Sequence, residues 1–432
     1  MGCRPTVLAG DGARVVLPAL ARDAEVWYTA TYGARGAPAS GGGAAQRREA
    51  MEFVELRVQD PATKTYLGSP SILRLPDGDL LATHDYFGPG CPVNHDGEEH
   101  LTSVYRSCDD GRTWRSVTHI ANAFWSSLFT LGEAVYLIGT TQQYGSIVIR
   151  RSEDGGNTWT HPADNHSGLL FRGGPRRTAP NYHCAPVPVL VSGGRVYRAF
   201  EDNNPLGWPA GFQACVISAE VGTDLLDASN WRMSNKLAFE RSWLDERWAG
   251  YTEGGWLEGN VVEARDGQLW DVLRVNARRE HDSGWTLGNV AAMVRIDGDG
   301  ARLSFDPACG FIDLPGGHSK FTIRYDAQSE RYLTLSNGVH DLDHPSLRAV
   351  LSVYASPHLR NWSHRLTLLG DDSGAPPELA AQRTGFQYVD WQFDGEDIIY
   401  LVRTAYGGAH NYHDANRITF HRLSGFRRWI GT

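Results

Sequence analysis

The chain has 432 residues, room for one large all-β domain or two to three average ones. Its 14 Trp, 17 Tyr, 15 Phe, 48 Gly and 21 Pro suit many short strands joined by tight turns better than long helices. A formal charge of -9, with acidic and basic residues interspersed, offers no basic stripe for a phosphate backbone and argues against nucleic acid as a partner. No run approaches the roughly 20 apolar residues of a membrane helix, and Met1 to Ala30 lack the apolar core of a signal peptide, so no membrane partner and a cytoplasmic location are the default expectations.

Taken in chain order, residues 1–50 are rich in Gly, Ala and Arg and read as an N-terminal tail, with Gly36 to Ala45 as a flexible linker. The folded unit is expected over 51–432, beginning with the strand pattern Phe53-Val54-Glu55-Leu56-Arg57-Val58. From about Tyr66 a unit of roughly 40 to 60 residues recurs, the signature of propeller blades. Its hairpins turn at Asp77-Gly78, Gly132-Glu133, Gly193-Gly194, Asp266-Gly267, Asp326 to Glu330 and Asp394-Gly395. These predict a single all-β propeller of six or seven four-stranded blades. Phe53 to Val58 would close the ring on the last blade, and a seventh blade would have to come from the tail or from Phe212 to Gly254.

Six cysteines (Cys3, Cys91, Cys108, Cys184, Cys215 and Cys309) are scattered, without CxxC pairs, and read as free structural thiols. Two segments, Ser107 to Trp114 and Ser152 to Trp159, fit S-x-D-x-G-x-T-W, with weaker echoes at Asp227 to Trp231, Ser356 to Trp362 and Ile296 to Gly300. In such a turn the Asp caps its own loop, the Gly allows a positive φ and the Trp packs between blades.

Aligning the apolar second strands puts His84, Thr140, Glu201, Arg274, Ser336 and Arg403 at one strand end, on the face opposite the first hairpin turns. Strand ends are often polar, yet a ring of converging ionisable groups is what a site requires. His100 lies on the loop after His84. Tyr182 and His183 enter the third blade, Glu258 the fourth, His318 and Lys320 the fifth, and Asp390 the sixth, all expected to point toward the axis. His410 and His413, three apart on one loop, have ligand chemistry without a firm third partner, so no cofactor is required and only a structural divalent cation is allowed for.

The two S-x-D-x-G-x-T-W turns resemble the Asp boxes of the sialidase-like propellers, a likeness that runs more thinly over 66–427. In sialidases three arginines bind a carboxylate, the first in a Phe/Tyr-Arg-Ile-Pro motif, and a Tyr with a Glu partner works beside an acidic Asp. The stretch Tyr66-Leu67-Gly68-Ser69-Pro70-Ser71-Ile72 lacks that arginine. Thr83 to Pro89, Tyr182 to Pro188 and Arg198 are similar to segments of ulvan lyases and rhamnose-glucuronate lyases, which place His, Tyr and Arg around a uronate.

This resemblance implies a carbohydrate substrate, anionic through a uronate or a sialic acid, and β-elimination as the leading reaction. His84 or His100 would take the proton, Arg198 would hold the carboxylate and Tyr182 would assist the leaving group, with His183, Glu201, Glu258, Arg274, His318, Lys320, Asp390 and Arg403 binding substrate. A sialidase-like or rhamnosidase-like hydrolase working through carboxylates such as Glu201, Glu258 and Asp390 is the alternative, and a non-catalytic glycan-binding propeller the second.

Overall fold

The computed structural model describes residues 54–244, 250–279, 288–340 and 346–431; the expected tail, 1–50, lies outside them. Among the described residues the strands form six antiparallel sheets, five of them paired in chain order and the sixth completed by the first strand of the chain. Blade I comprises Tyr66–Arg74, Leu80–Phe87, Leu101–Ser107 and Arg115–Ala121, and blade II comprises Phe124–Leu131, Ala134–Thr140, Ile147–Ser152 and Leu169–Phe171. Blade III is built on Tyr182–His183, Arg195–Asn203 and Phe212–Glu220, blade IV on Tyr251–Glu263, Leu269–Arg279 and Val290–Asp297, and blade V on Ile323–Asp326, Arg331–Ser336, Val350–Ser356 and Ser363–Gly370. In blade VI, Gly385–Asp394, Asp397–Ala405 and Arg417–Leu423 take Val54–Val58 as their outer strand. The pairing Val54↔Phe420 and Val58↔Arg417 is the closure expected from the sequence. Phe212 to Gly254 supplies outer strands of blade III and the start of blade IV, not a seventh blade.

Apolar residues point to both faces of most strands because each blade is covered on both sides. The core accordingly lies in the seams. One cluster joins Leu401, Ile418 and Phe420 of blade VI to Leu67, Ile72 and Leu80 of blade I. Equivalent clusters fill the seams between I and II, II and III, III and IV, IV and V, and V and VI. None of the described helices is long and apolar enough to cross a membrane.

The two S-x-D-x-G-x-T-W turns fold identically. Asp109 accepts from the Thr113 N–H and hydroxyl at 2.9 and 2.6 Å, Asp154 from those of Thr158 at 2.9 and 2.7 Å, and each Trp indole N–H donates to the Gly carbonyl three residues back. Gly156 has φ +91°, and a Cβ there would sit 2.7 Å from a Leu81 methyl of blade I. Gly156→Ala is therefore expected to cost about 1–3 kcal/mol in a urea unfolding midpoint. Gly370→Ala, with open space around its Cβ position, should lie close to the unsubstituted protein.

Candidate functional site

Four innermost strands carry the same irregularity. The ladder slips between Leu67 and Pro70, Phe124 and Ser127, Leu257 and Asn260, and Gln387 and Asp390. At three of these bulges the first extra residue is left-handed and not glycine: Trp125 at φ 46°, Glu258 at 59° and Tyr388 at 52°. A bulge re-aims a side chain, and holding a large residue in this region costs of order 1 kcal/mol or more, so strain collects where the inner strands open.

Two of these side chains meet. The Tyr388 hydroxyl donates to Glu258 Oε1 at 2.9 Å, while Arg274 Nη1 donates to Glu258 Oε2 at 3.0 Å. Arg274 is steadied by its Nε donating to Asn276 Oδ1 and to the His318 carbonyl, both at 2.8 Å. Two more guanidiniums flank the phenol, with Arg403 4.8 Å and Arg348 5.7 Å from the Tyr388 ring centre. Arg403 donates to the His413 carbonyl at 2.7 Å and Arg348 to Gln387 Oε1, yet the buried Nε–H of each finds no acceptor among the described residues.

Burial works to raise the Glu258 pKa, but Arg274, His183 and the bond from Tyr388 outweigh it, so this carboxyl sits below its ordinary value and is ionised. Burial first, then the Glu258 charge, pushes the Tyr388 phenol up to about 12, against the pull of Arg274, Arg348 and Arg403. The pair is thus a neutral phenol hydrogen-bonded to a carboxylate, the arrangement in which a base can take the phenolic proton as that oxygen attacks.

Beside it stands a second pair. His183 Nδ1 meets Glu201 Oε2 at 2.8 Å, and Glu201 Oε1 accepts the N–H of Gly259, the residue next to Glu258. Trp125, Phe212 and Tyr144 surround the imidazole, with ring centres 4.3, 4.7 and 6.0 Å away. Glu201, His183, Glu258, Arg274 and Arg403, all expected at the site, therefore lie together around these two pairs. Tyr388, Arg348 and the aromatic wall of Trp125, Phe212 and Tyr144 are not among the site residues expected from the sequence. The legible signal was a large side chain two residues before a polar one in Trp125-x-Ser127, Glu258-x-Asn260 and Tyr388-x-Asp390.

The residues assigned to elimination do not gather. His84 is 0% exposed and packs on Tyr105 and Tyr86 in the blade core. The Asp85 carbonyl, 3.0 Å from Nδ1, can only accept, which fixes the proton there and leaves Nε2 to accept from the Tyr105 hydroxyl at 3.2 Å. His100 lies at the outer end of the blade, its Nδ1 accepting the Asn122 N–H at 3.1 Å. Tyr182 is buried in the seam between blades II and III, under Lys236.

Arg198 is 0% exposed and donates to the Ala199 and Ala185 carbonyls and to Ser127 Oγ across a seam. Lys320 and Asp390 are struts as well. Lys320 reaches the Val389 carbonyl at 2.6 Å, and Asp390 Oδ2 accepts from Ser71 Oγ and the Ile72 N–H at 2.9 Å. His318 contributes its carbonyl to Arg274 from a buried position. Position 68, in the stretch where the sialidase motif carries its first arginine, admits no side chain, because a Cβ on Gly68 would lie 1.6 Å from Asp85 Oδ1.

Burial, followed by the nearby Arg57 and His119, drives the His84 pKa from 6.5 to about 4, although the bond to the Asp85 backbone opposes this. As pH falls from 6.5 toward 4 the unfolded chain takes the proton before the folded one, so this residue's contribution to stability declines through that window and is intact above it. Its imidazole C–H resonances should hold their neutral positions from about pH 8 to about pH 5 in NMR spectra, and titration within that range would return His84 to a solvent-reaching role. His410 and His413 both direct Nδ1 to Asp414, at 2.7 and 3.0 Å, and among the described residues no cluster of three or more His, Cys, Asp or Glu is arranged to hold a metal ion.

No protein-family model and no curated protein matches the chain. Solved structures do. An α-L-arabinanase from Penicillium chrysogenum, solved with arabinobiose, superposes with TM-score 0.53 at 15% identity, over 87% of this chain and 98% of that one. An α-L-arabinofuranosidase from Fusarium graminearum, solved with an iminosugar inhibitor, gives 0.52 at 12% identity, over 86% and 98%. A Hadza microbial sialidase gives 0.52 at 13% identity, over 87% and 69%. At such identities the likeness shows the fold alone: with the blade order and ring closure above, the described residues form a six-bladed β-propeller similar in architecture to those of the arabinanase and the sialidase.

Proposed function

We propose that this chain is a glycoside hydrolase in which Tyr388, activated by Glu258, is the nucleophile, and that its substrate sugar carries a carboxylate. The observation that carries the reading is the 2.9 Å hydrogen bond from Tyr388 to Glu258, made between two strained bulges on blades IV and VI. Backbone strain persists where the surrounding structure overdetermines it, and here it aims two reactive side chains at each other. The arabinanase, arabinofuranosidase and sialidase with this architecture are glycosidases by name, so the fold admits the class while the site must decide the chemistry.

The site favours an anionic sugar with its carboxylate on the reacting carbon. A carboxylate nucleophile would be repelled by such a substrate, whereas a neutral phenol is not, and a Tyr nucleophile is the known exception among glycosidases for sialic acids. Arg274, Arg348 and Arg403 supply the positive field that a substrate carboxylate would meet beside Tyr388. A neutral arabinoside makes no use of them.

The test is a panel of carboxylate-bearing ketosides, uronate glycans and arabinosides, read by released sugar and by the ultraviolet absorbance of unsaturated products. A fluorinated, activated ketoside should then trap the glycosyl-enzyme, with the added mass on the peptide containing Tyr388. Unsaturated product, or turnover with the trapped sugar on any other residue, would overturn the reading.

A further inference from the structure

We propose that His183, held by Glu201, is the proton donor to the departing sugar oxygen, an inference that rests on the Tyr388 nucleophile and assigns the other half of the reaction. A nucleophile and its base leave unexplained what protonates the leaving group, and alkyl or sugar leaving groups need that proton. The imidazole is placed for it. His183 and Glu201 are cross-strand partners in blade III, and Glu201 Oε1 accepts the N–H of Gly259, so the bulge that aims Glu258 also anchors the dyad.

Packing by Trp125, Phe212 and Tyr144 fixes the ring plane. Nδ1 is occupied by Glu201, while Nε2 makes no hydrogen bond among the described residues and the side chain keeps 7% of its surface exposed. With Nδ1 held by Glu201, Nε2 is the ring nitrogen left to pass a proton to the leaving oxygen. Glu258 is the second anion facing it. Tyr144, capped by Arg177 at 5.3 Å, and the adjacent Cys184 are further titratable neighbours, and Arg274 is paired with Glu258 at 3.0 Å.

The steps balance. Tyr388 Oη bonds to the reacting carbon as its proton passes to Glu258, the bond from that carbon to the leaving oxygen breaks, and the oxygen takes the proton of His183 Nε2. Water then attacks the same carbon and gives a proton to His183, while Tyr388 Oη departs and recovers its proton from Glu258. The initial state is restored with one water consumed. His183 is a catalytic residue in this scheme, and Glu201 a positioning residue acting through it.

Leaving-group chemistry provides the test. His183→Gln should lower kcat/KM by roughly 10² to 10⁴ on a substrate with a sugar leaving group, but by less than about tenfold on its nitrophenyl counterpart, whose leaving group needs no proton. Glu201→Gln keeps a hydrogen-bond partner for Nδ1 without the charge, and should show the same leaving-group dependence as His183→Gln, with a smaller loss on the sugar substrate. Equal losses on both substrates, in His183→Gln or in Glu201→Gln, would overturn the proposal. Tyr388→Phe separates the two readings: if it turned over both substrates normally the nucleophile assignment would fail, whereas a loss on both, with no leaving-group dependence in His183→Gln, would leave the nucleophile standing and remove His183 alone.

Discussion

Tyr388→Phe is expected to abolish turnover while leaving the propeller folded. The substitution deletes one oxygen from a half-buried ring and keeps the faces over which Arg403 and Arg348 lie. The cost to stability should be near 1 kcal/mol, the usual net worth of a hydrogen bond. The cost to catalysis is of another order, because no other hydroxyl is held against Glu258 among the described residues. Removing a positioned general base alone is worth roughly 10² to 10⁴ in rate, and removing the nucleophile should exceed that.

Glu258→Gln should fall within that range for kcat but be less stable than Tyr388→Phe, since it leaves the buried Arg274 without its counter-charge. Steady-state kinetics with thermal unfolding on both variants decides the matter. A Tyr388→Phe enzyme retaining a tenth of its kcat would place the nucleophile elsewhere.

The blades were legible because their signals are local. Asp-Gly and Gly-Gly turns between apolar runs specify hairpins, and Val54 to Val58 pairs with Phe420 because a final blade lacking an outer strand needs one. The site was half legible, and the reason is register. Matching apolar runs set His84 level with Thr140, Arg274 and Arg403, but the bulges show that Pro70↔His84 corresponds to Ser127↔Ile138, Asn260↔Val272 and Asp390↔Leu401. His84 therefore occupies a core level two residues below the strand end, where Tyr86 stands instead. An αL bulge leaves no mark in a hydrophobic pattern, and Trp, Glu and Tyr are not the residues expected at positive φ. For the same reason Tyr388, although inside an inner strand already recognised, carried no sign of its partner on blade IV.

Arg198 supplies the second large effect, and it separates a strut from a substrate ligand. Its side chain is wholly buried, with Nη1 donating to the Ala199 carbonyl at 2.6 Å and Nη2 to the Ala185 carbonyl at 2.5 Å and Ser127 Oγ at 3.2 Å. Ser127 in turn donates to the Val187 carbonyl, so one guanidinium ties blade III to the inner strand of blade II. Burial lowers its pKa, while the neighbouring Cys184, Glu201 and Asp271 act in the opposite direction. Arg198→Ala would strand two buried carbonyls and open a cavity. Its expected cost is about 3–5 kcal/mol, the range for breaking a buried charged contact. Against a typical total of about 5–15 kcal/mol this threatens the fold outright, and the urea midpoint should fall steeply. Arg198→Lys keeps the charge but cannot span three acceptors with one nitrogen, so it should be destabilised by a smaller amount, roughly 1–3 kcal/mol. The fraction of either variant that folds should retain its KM, because no substrate atom can reach a side chain sealed on every side. A variant with normal stability and a raised KM would show instead that Arg198 opens to the substrate.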